Sequence, residues 1–238
     1  NLNTARAFAG SAGIETAALA MGGGEPAVAN TEVWDGTSFT EDADLSTARQ
    51  EGMGVGSGST NALLASSSVE EWNTSVAVGA WATGASMNTA RGDLAGSGTS
   101  TNSLAMGGSP YRALVELWNG SSWTETTDLG TARQVLSAGG TYTSTLAFGG
   151  DAPPNTGKTE SWNGSAWTEK ADLNTARREA MAAAASNTAA LCFGGKEPAS
   201  SAKNELWNGT CWSETADLNE DKRAAGGVGT STAALCFG

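Results

Sequence analysis

The sequence predicts an all-β chain, a β-propeller of four-stranded blades, from three observations. A unit of about 43 residues repeats along the chain, residue size rises in a fixed order inside each unit, and a tight-turn signature joins its last two runs. The 238 residues hold five complete units and the inner two strands of a sixth, which implies a six-bladed ring.

The period is read from Thr-Ala-Arg. It places Arg6, Arg49, Arg91, Arg133 and Arg177 at steps of 43, 42, 42 and 44 residues, with Arg223 as the related sixth member after 46 more. Leucine-rich and ankyrin units are shorter and carry helical patterns that these lack. The expected blades span approximately 3–45, 46–87, 88–129, 130–173 and 174–218, with a half blade over 219–238.

Four runs, a to d, follow each arginine. Run a is rich in Gly and Ala, as in Ala7 to Gly13. Run b is apolar, as in Ser103-Leu104-Ala105-Met106 or Ala190-Leu191-Cys192-Phe193, and most copies end in Gly-Gly. Run c carries Glu-x-Trp, giving Trp34, Trp72, Trp118, Trp162 and Trp207 behind Glu32, Glu70, Glu116, Glu160 and Glu205. Asn-Gly in three copies, and Asp35-Gly36 in the first, then signals a hairpin into run d, which begins at Phe39, Trp81, Trp123, Trp167 or Trp212. Neighbouring sheets nearly touch at a propeller axis and diverge toward the rim, so small residues suit strand a and tryptophan suits strands c and d.

Local exceptions test this frame. The Ala-rich stretch 177–190 has helical propensity, but its place in the repeat predicts a strand. Unit two replaces the Gly-Gly with Ser66-Ser67, has a short b/c loop, and separates Trp72 from Trp81 by nine residues where the other complete units have five, so it should be the least regular blade. The half blade leaves a free strand b edge, which a continuation of the chain or another subunit is expected to complete.

These features resemble the kelch and galactose-oxidase-like propellers: an arginine opening strand a, an apolar run ending in Gly-Gly, Glu-x-aromatic in strand c and a tryptophan in strand d. The compact Trp-Asn-Gly-x-x-Trp form is similar to repeats in phage structural proteins and bacterial surface proteins. The resemblance implies a scaffold with function on its loops. It does not carry copper-radical chemistry, which needs histidine and paired tyrosine ligands: this chain has no histidine and only Tyr111 and Tyr142.

Composition narrows the function further. A net charge of −12 argues against nucleic acid and anionic membrane as partners, and no apolar run reaches the roughly 18 residues of a membrane span. Without histidine there is no Ser-His-Asp triad and no usual zinc or copper site. Cys192, Cys211 and Cys236 fit no disulfide framework and read as small apolar fillers.

The once-per-unit arginines and glutamates read as structural, pairing charges between neighbouring blades or capping turns. The N-glycosylation patterns beginning at Asn73, Asn119, Asn163 and Asn208 fall on the c/d turns and are explained by them. Two residues past each arginine lie Phe8, Glu51, Asp93, Val135, Glu179 and Ala225. The carboxylates of Glu51, Asp93 and Glu179 could hold calcium or stand solvated at a wet channel mouth.

Divergence concentrates in the b/c loops, on the same face as the d/a connections. The candidate binding residues there are Tyr111, Arg112, Lys158, Lys196 and Lys203. The reading is a non-enzymatic interaction or structural propeller on a virion or bacterial extracellular surface, binding protein or glycan through those loops and needing no cofactor. The alternative is a carboxylate-dependent glycan-active enzyme using Glu51, Asp93 or Glu179.

Overall fold

The computed structural model describes residues 1–74 and 80–238. Blade one is β1 (Gly10–Ile14), β2 (Ala17–Met21), β3 (Thr31–Trp34) and β4 (Phe39–Asp42). Blade two is β5 (Met53–Gly58), β6 (Asn61–Ala65), β7 (Val69–Asn73) and β8 (Ala80–Thr83). Blade three is β9 (Ala95–Gly98), β10 (Ser103–Met106), β11 (Val115–Trp118) and β12 (Trp123–Glu125). Blade four is β13 (Ser137–Thr141), β14 (Ser144–Phe148), β15 (Thr159–Trp162) and β16 (Trp167–Lys170). Blade five opens with β17 (Met181–Ser186) and β18 (Ala189–Phe193) and, after a small loop hairpin of β19 (Lys196–Glu197) and β20 (Ala199–Ser200), ends with β21 (Asn204–Trp207) and β22 (Trp212–Thr215). The sixth sheet holds β23 (Gly226–Gly229) and β24 (Ala234–Phe237).

Among the described residues this makes five antiparallel four-stranded blades and one two-stranded half blade, with no helix. The Ala-rich stretch is extended in β17, where tertiary packing overrides alanine's helical preference. The c/d turn of blade two, including the irregular spacing expected there and Ser75 of its glycosylation pattern, lies outside the described residues.

The inner strands approach so closely that side chains must be minimal. A Cβ on Gly54 would meet the Ser11 carbonyl oxygen at 2.5 Å, and one on Gly227 would meet the Met181 Cβ at 2.7 Å. Strand b is sandwiched between blades and buried on both faces, which explains why it reads as a continuous apolar run rather than an alternating one. Farther out, each strand c tryptophan packs on the preceding blade; Trp118 joins Met53, Val55 and Leu63 of blade two. Its indole N–H donates to the a/b turn of its own blade, as from Trp118 to Ser100 O (2.8 Å) and from Trp207 to Asn187 O (3.0 Å), so the polar edge is satisfied while the ring, in all but the half-buried Trp34, is dry.

The ring closes through the sixth sheet. Ser11 Oγ donates to Gly227 O at 3.2 Å, and Phe39 of blade one packs against Phe237 with ring centroids 5.2 Å apart and planes tilted by 60°.

The repeated charges form pairs inside each blade, not between neighbours as the sequence suggested. Arg6 pairs with Glu32 and Arg49 with Glu70, while Arg91 reaches Glu116 at 2.5 Å, Arg133 reaches Glu160 at 3.2 Å and Arg177 reaches Glu205 at 2.7 Å. The second glutamate oxygen accepts a backbone N–H from the d/a segment, from Asn88 at 2.7 Å and from Asn174 at 2.7 Å. The arginine's own carbonyl accepts from the second Gly of the preceding blade, as Gly150 N donates to Arg177 O at 2.9 Å. Each arginine therefore ties its blade's strand c to its entry loop by side chain, and Arg49, Arg133 and Arg177 are also tied to the preceding blade by backbone.

Arg223 is not the sixth member of this series. Gly195 N donates to Lys222 O at 2.7 Å, so Lys222 takes the arginine's position and the register of the sixth unit is one residue earlier than Arg223 implied.

Candidate functional site

Six residues form a collar at the mouth of the channel. Phe8, Glu51, Asp93, Val135, Glu179 and Ala224 all hold left-handed backbone, with φ of 58°, 60°, 55°, 49°, 56° and 51°. The sixth is Ala224, not Ala225, because of the one-residue register change just described. Left-handed φ turns each peptide along the ring instead of into a sheet. Phe8 N donates to Ala224 O (2.7 Å), Glu51 to Phe8 (3.1 Å), Asp93 to Glu51 (3.2 Å), Val135 to Asp93 (2.8 Å), Glu179 to Val135 (3.2 Å) and Ala224 to Glu179 (3.0 Å), which closes the circle. A non-glycine residue costs about 1–2 kcal/mol in this conformation, and the cyclic hydrogen bonding offsets it.

The collar is electrostatically lopsided. Glu179 is neutralised by Arg178 Nε at 3.2 Å and Arg223 Nη1 at 2.8 Å. Arg178 also reaches Asp151 at 3.4 Å, to which Tyr111 donates its hydroxyl hydrogen at 3.4 Å. Across the mouth, Glu51 and Asp93 have no such cations among the described residues. Burial raises the Glu51 carboxyl above its ordinary pKa, with Asp93 and Glu25 adding repulsion; burial likewise raises Asp93, with Glu179 adding to it. The three carboxylates share the collar, and among the described residues no group of three or more histidine, cysteine or acidic side chains is placed to hold a metal ion.

Beside the two unneutralised acids the face is indented. In blades one, three, four and five, the b/c loop donates a backbone N–H to the residue just before the collar: Gly24 to Ala7 at 2.7 Å, Ser109 to Gly92 at 2.9 Å, Asp151 to Gln134 at 2.8 Å, and Lys196 to Arg178 at 2.7 Å. The short loop of blade two turns back on itself instead, Ser66 N donating to Ser68 O at 3.0 Å. A groove of about 520 Å³ results, lined among others by Glu25, Arg49, Gln50, Glu51, Ser66 and Ser67. The Arg49 guanidinium is committed to Glu70 and to Ser68 O. Gln50 Oε1 and Ser66 Oγ are buried there without a hydrogen-bond partner. The groove thus offers carboxylate, amide and hydroxyl oxygens, and its natural complement is a donor-rich, positively charged group.

The five residues expected to contact a ligand are dispersed. Tyr111 is 42 % exposed on this face and leans on Asp151. Arg112 is half-buried with its Nε unpartnered, and its backbone holds its own loop to Arg133. Lys158 is paired with Glu169, and Lys203 contacts Glu197 at 3.3 Å. The backbone of Lys196 joins Arg178. Sequence reasoning did not select Glu25, Gln50, Ser66 or Arg178. The shortness of the second b/c loop was the signal for the first three.

A scan against protein-family models gave no match, and a search of the curated proteins gave none.

Proposed function

We propose that this chain is a non-enzymatic interaction propeller of kelch-like type that holds a basic segment of a protein partner in the groove between blades one and two, in the setting of a virion or extracellular surface. One observation carries this reading: Glu25, Glu51, Gln50 Oε1 and Ser66 Oγ gather acceptors around one groove, two of them buried and unpartnered, where the unneutralised half of the collar adds Asp93. A guanidinium or ammonium group relieves the carboxylate repulsion, and a rotation of Gln50 or Ser66 toward it satisfies the orphaned acceptors. The groove's lining contains no aromatic ring on which a sugar could stack, which favours a peptide over a glycan.

The test is a panel of arginine- and lysine-containing peptides beside a glycan array. Salt-sensitive peptide binding that is lost in Glu25→Lys/Glu51→Lys and kept in Glu125→Lys/Glu214→Lys, an equal charge change on the exposed rim, is the expected result. Glycan binding without peptide binding, or polysaccharide turnover abolished by Glu51, Asp93 or Glu179 substitutions, would replace this reading with the glycan or enzyme alternative.

A further inference from the structure

The groove over blade two is the place that the b/c loop fills in the other four complete blades. In each of those, two consecutive loop amides donate to fixed carbonyls. The first bonds the next blade at the arginine position: Gly23 N to Arg49 O at 2.8 Å, Gly108 to Arg133 at 3.0 Å, Gly150 to Arg177 at 2.9 Å and Gly195 to Lys222 at 2.7 Å. The second, from Gly24, Ser109, Asp151 and Lys196, bonds the carbonyl just before the collar of its own blade. In blade two the corresponding acceptors are Arg91 O and Gln50 O. Ser66-Ser67-Ser68 turns back before reaching them, and among the described residues neither carbonyl accepts a backbone N–H. Both belong to the groove, since Gln50 lines it and so does Gly92, whose peptide bond carries Arg91 O. Beside them Ser66, 5 % exposed, holds its Oγ without a partner.

The four filled blades also define what can donate there. The first amide belongs in every case to a glycine with positive φ, of 94°, 117°, 109° and 105° for Gly23, Gly108, Gly150 and Gly195. A Cβ on it would meet the second carbonyl, at 2.6 Å from Ala7 O for Gly23, 2.8 Å from Gly92 O for Gly108, 3.0 Å from Gln134 O for Gly150 and 2.9 Å from Arg178 O for Gly195. The first donor is therefore glycine. The side chain of the second donor lies between the loop of the preceding blade and the entry of the next, as Asp151 meets Tyr111 on one side and Arg178 on the other. Around blade two the preceding loop supplies Glu25, and Glu51 lines the same groove. Two carboxylates there call for positive charge on the second donor.

We infer that the groove grips the main chain of its partner at a Gly-Arg or Gly-Lys step. The glycine amide donates to Arg91 O, the next amide donates to Gln50 O, and the basic side chain turns toward Glu25 and Glu51. This rests on the basic protein segment proposed above and adds the backbone and the glycine to what is recognised. Two peptide bonds of the partner take the part that the b/c loop plays in the other blades. Main-chain hydrogen bonds then supply affinity, and the charged side chain supplies specificity.

The probe is the blocked peptide acetyl-Ala-Gly-Arg-Ala-amide, titrated into the isotope-labelled full chain and followed by NMR. Binding should move the carbonyl resonances of Gln50 and Arg91. N-methylation of the glycine amide, N-methylation of the arginine amide and replacement of the glycine by L-alanine should each weaken binding about tenfold or more, the loss expected when a carbonyl is left unpaired or a Cβ collides with it. N-methylation of the final alanine amide should leave binding unchanged. Equal binding of all these analogues, with binding still lost in Glu25→Lys/Glu51→Lys, overturns the main-chain grip and leaves the charge-based reading standing. Binding of other basic peptides but of none containing Gly-Arg or Gly-Lys does the same. Absence of binding by every arginine- and lysine-containing peptide overturns both.

Discussion

The Arg–Glu pair is the residue on which each blade turns. Arg91 and Glu116 are at most 1 % exposed at their side chains, and their cost of desolvation is met by near-complete bonding. Arg91 donates to Gly107 O at 2.8 Å, Thr89 O at 2.9 Å and Ala105 O at 3.2 Å, while Glu116 accepts from Asn88 N at 2.7 Å. Removing one member strands a buried charge. Glu116→Ala should therefore destabilise the chain by about 3–5 kcal/mol, read from the denaturant midpoint, and Arg91→Met/Glu116→Leu should recover much of that loss. Glu51 and Asp93 of the collar behave oppositely. Their folded pKa values are raised, so the folded chain binds more protons than the unfolded one between the ordinary carboxylate range and the raised values. Stability contributed by these groups is undiminished below that range and falls as pH rises through it. Glu51→Gln/Asp93→Asn should gain stability relative to wild type as pH is raised from about 4 toward 7, and a difference that is flat with pH would contradict the assignment.

At the scale of the element, periodicity made the strands legible and left the collar invisible. Glu-x-Trp recurs because every complete blade shares the buried pair, and Asn-Gly or Asp-Gly recurs in blades one, three, four and five because each makes the same tight turn. The left-handed collar leaves no such imprint, since Phe8, Val135 and Ala224 are not residues that favour positive φ. Its hydrogen bonds use backbone alone. Val135 is the most strained member by type, being β-branched, and Val135→Asn should raise stability by up to about 1 kcal/mol because Asn tolerates this conformation; a lowered thermal midpoint would show that Val135 packing outweighs its strain. The misplaced sixth arginine has a plain cause as well. Leu45, Leu129 and Leu173 each stand four residues before their arginine, and Leu218 stands four before Lys222, a spacing that identifies Lys222 where residue type alone pointed to Arg223. The groove was legible only as a short loop, since its depth depends on what the adjoining loops do in space.

For the molecule as a whole, six repeats give a ring whose order is uniform within and irregular on one face. The Arg–Glu pairs, the tryptophans and the closed backbone collar fix the frame, which leaves the b/c loops free to differ in length and charge. Blade two, with its short loop, opens an acidic groove beside Glu51. The central claim is that recognition of a basic protein segment resides in that groove. Calorimetric titration of the tightest-binding basic peptide into wild type, Ser67→Trp and Tyr142→Ala tests it most directly, because exposed Ser67 lines the groove and Tyr142 lies on the opposite a/b turn. The account predicts that Ser67→Trp abolishes binding by filling the groove while Tyr142→Ala leaves affinity unchanged; full binding in Ser67→Trp would contradict it.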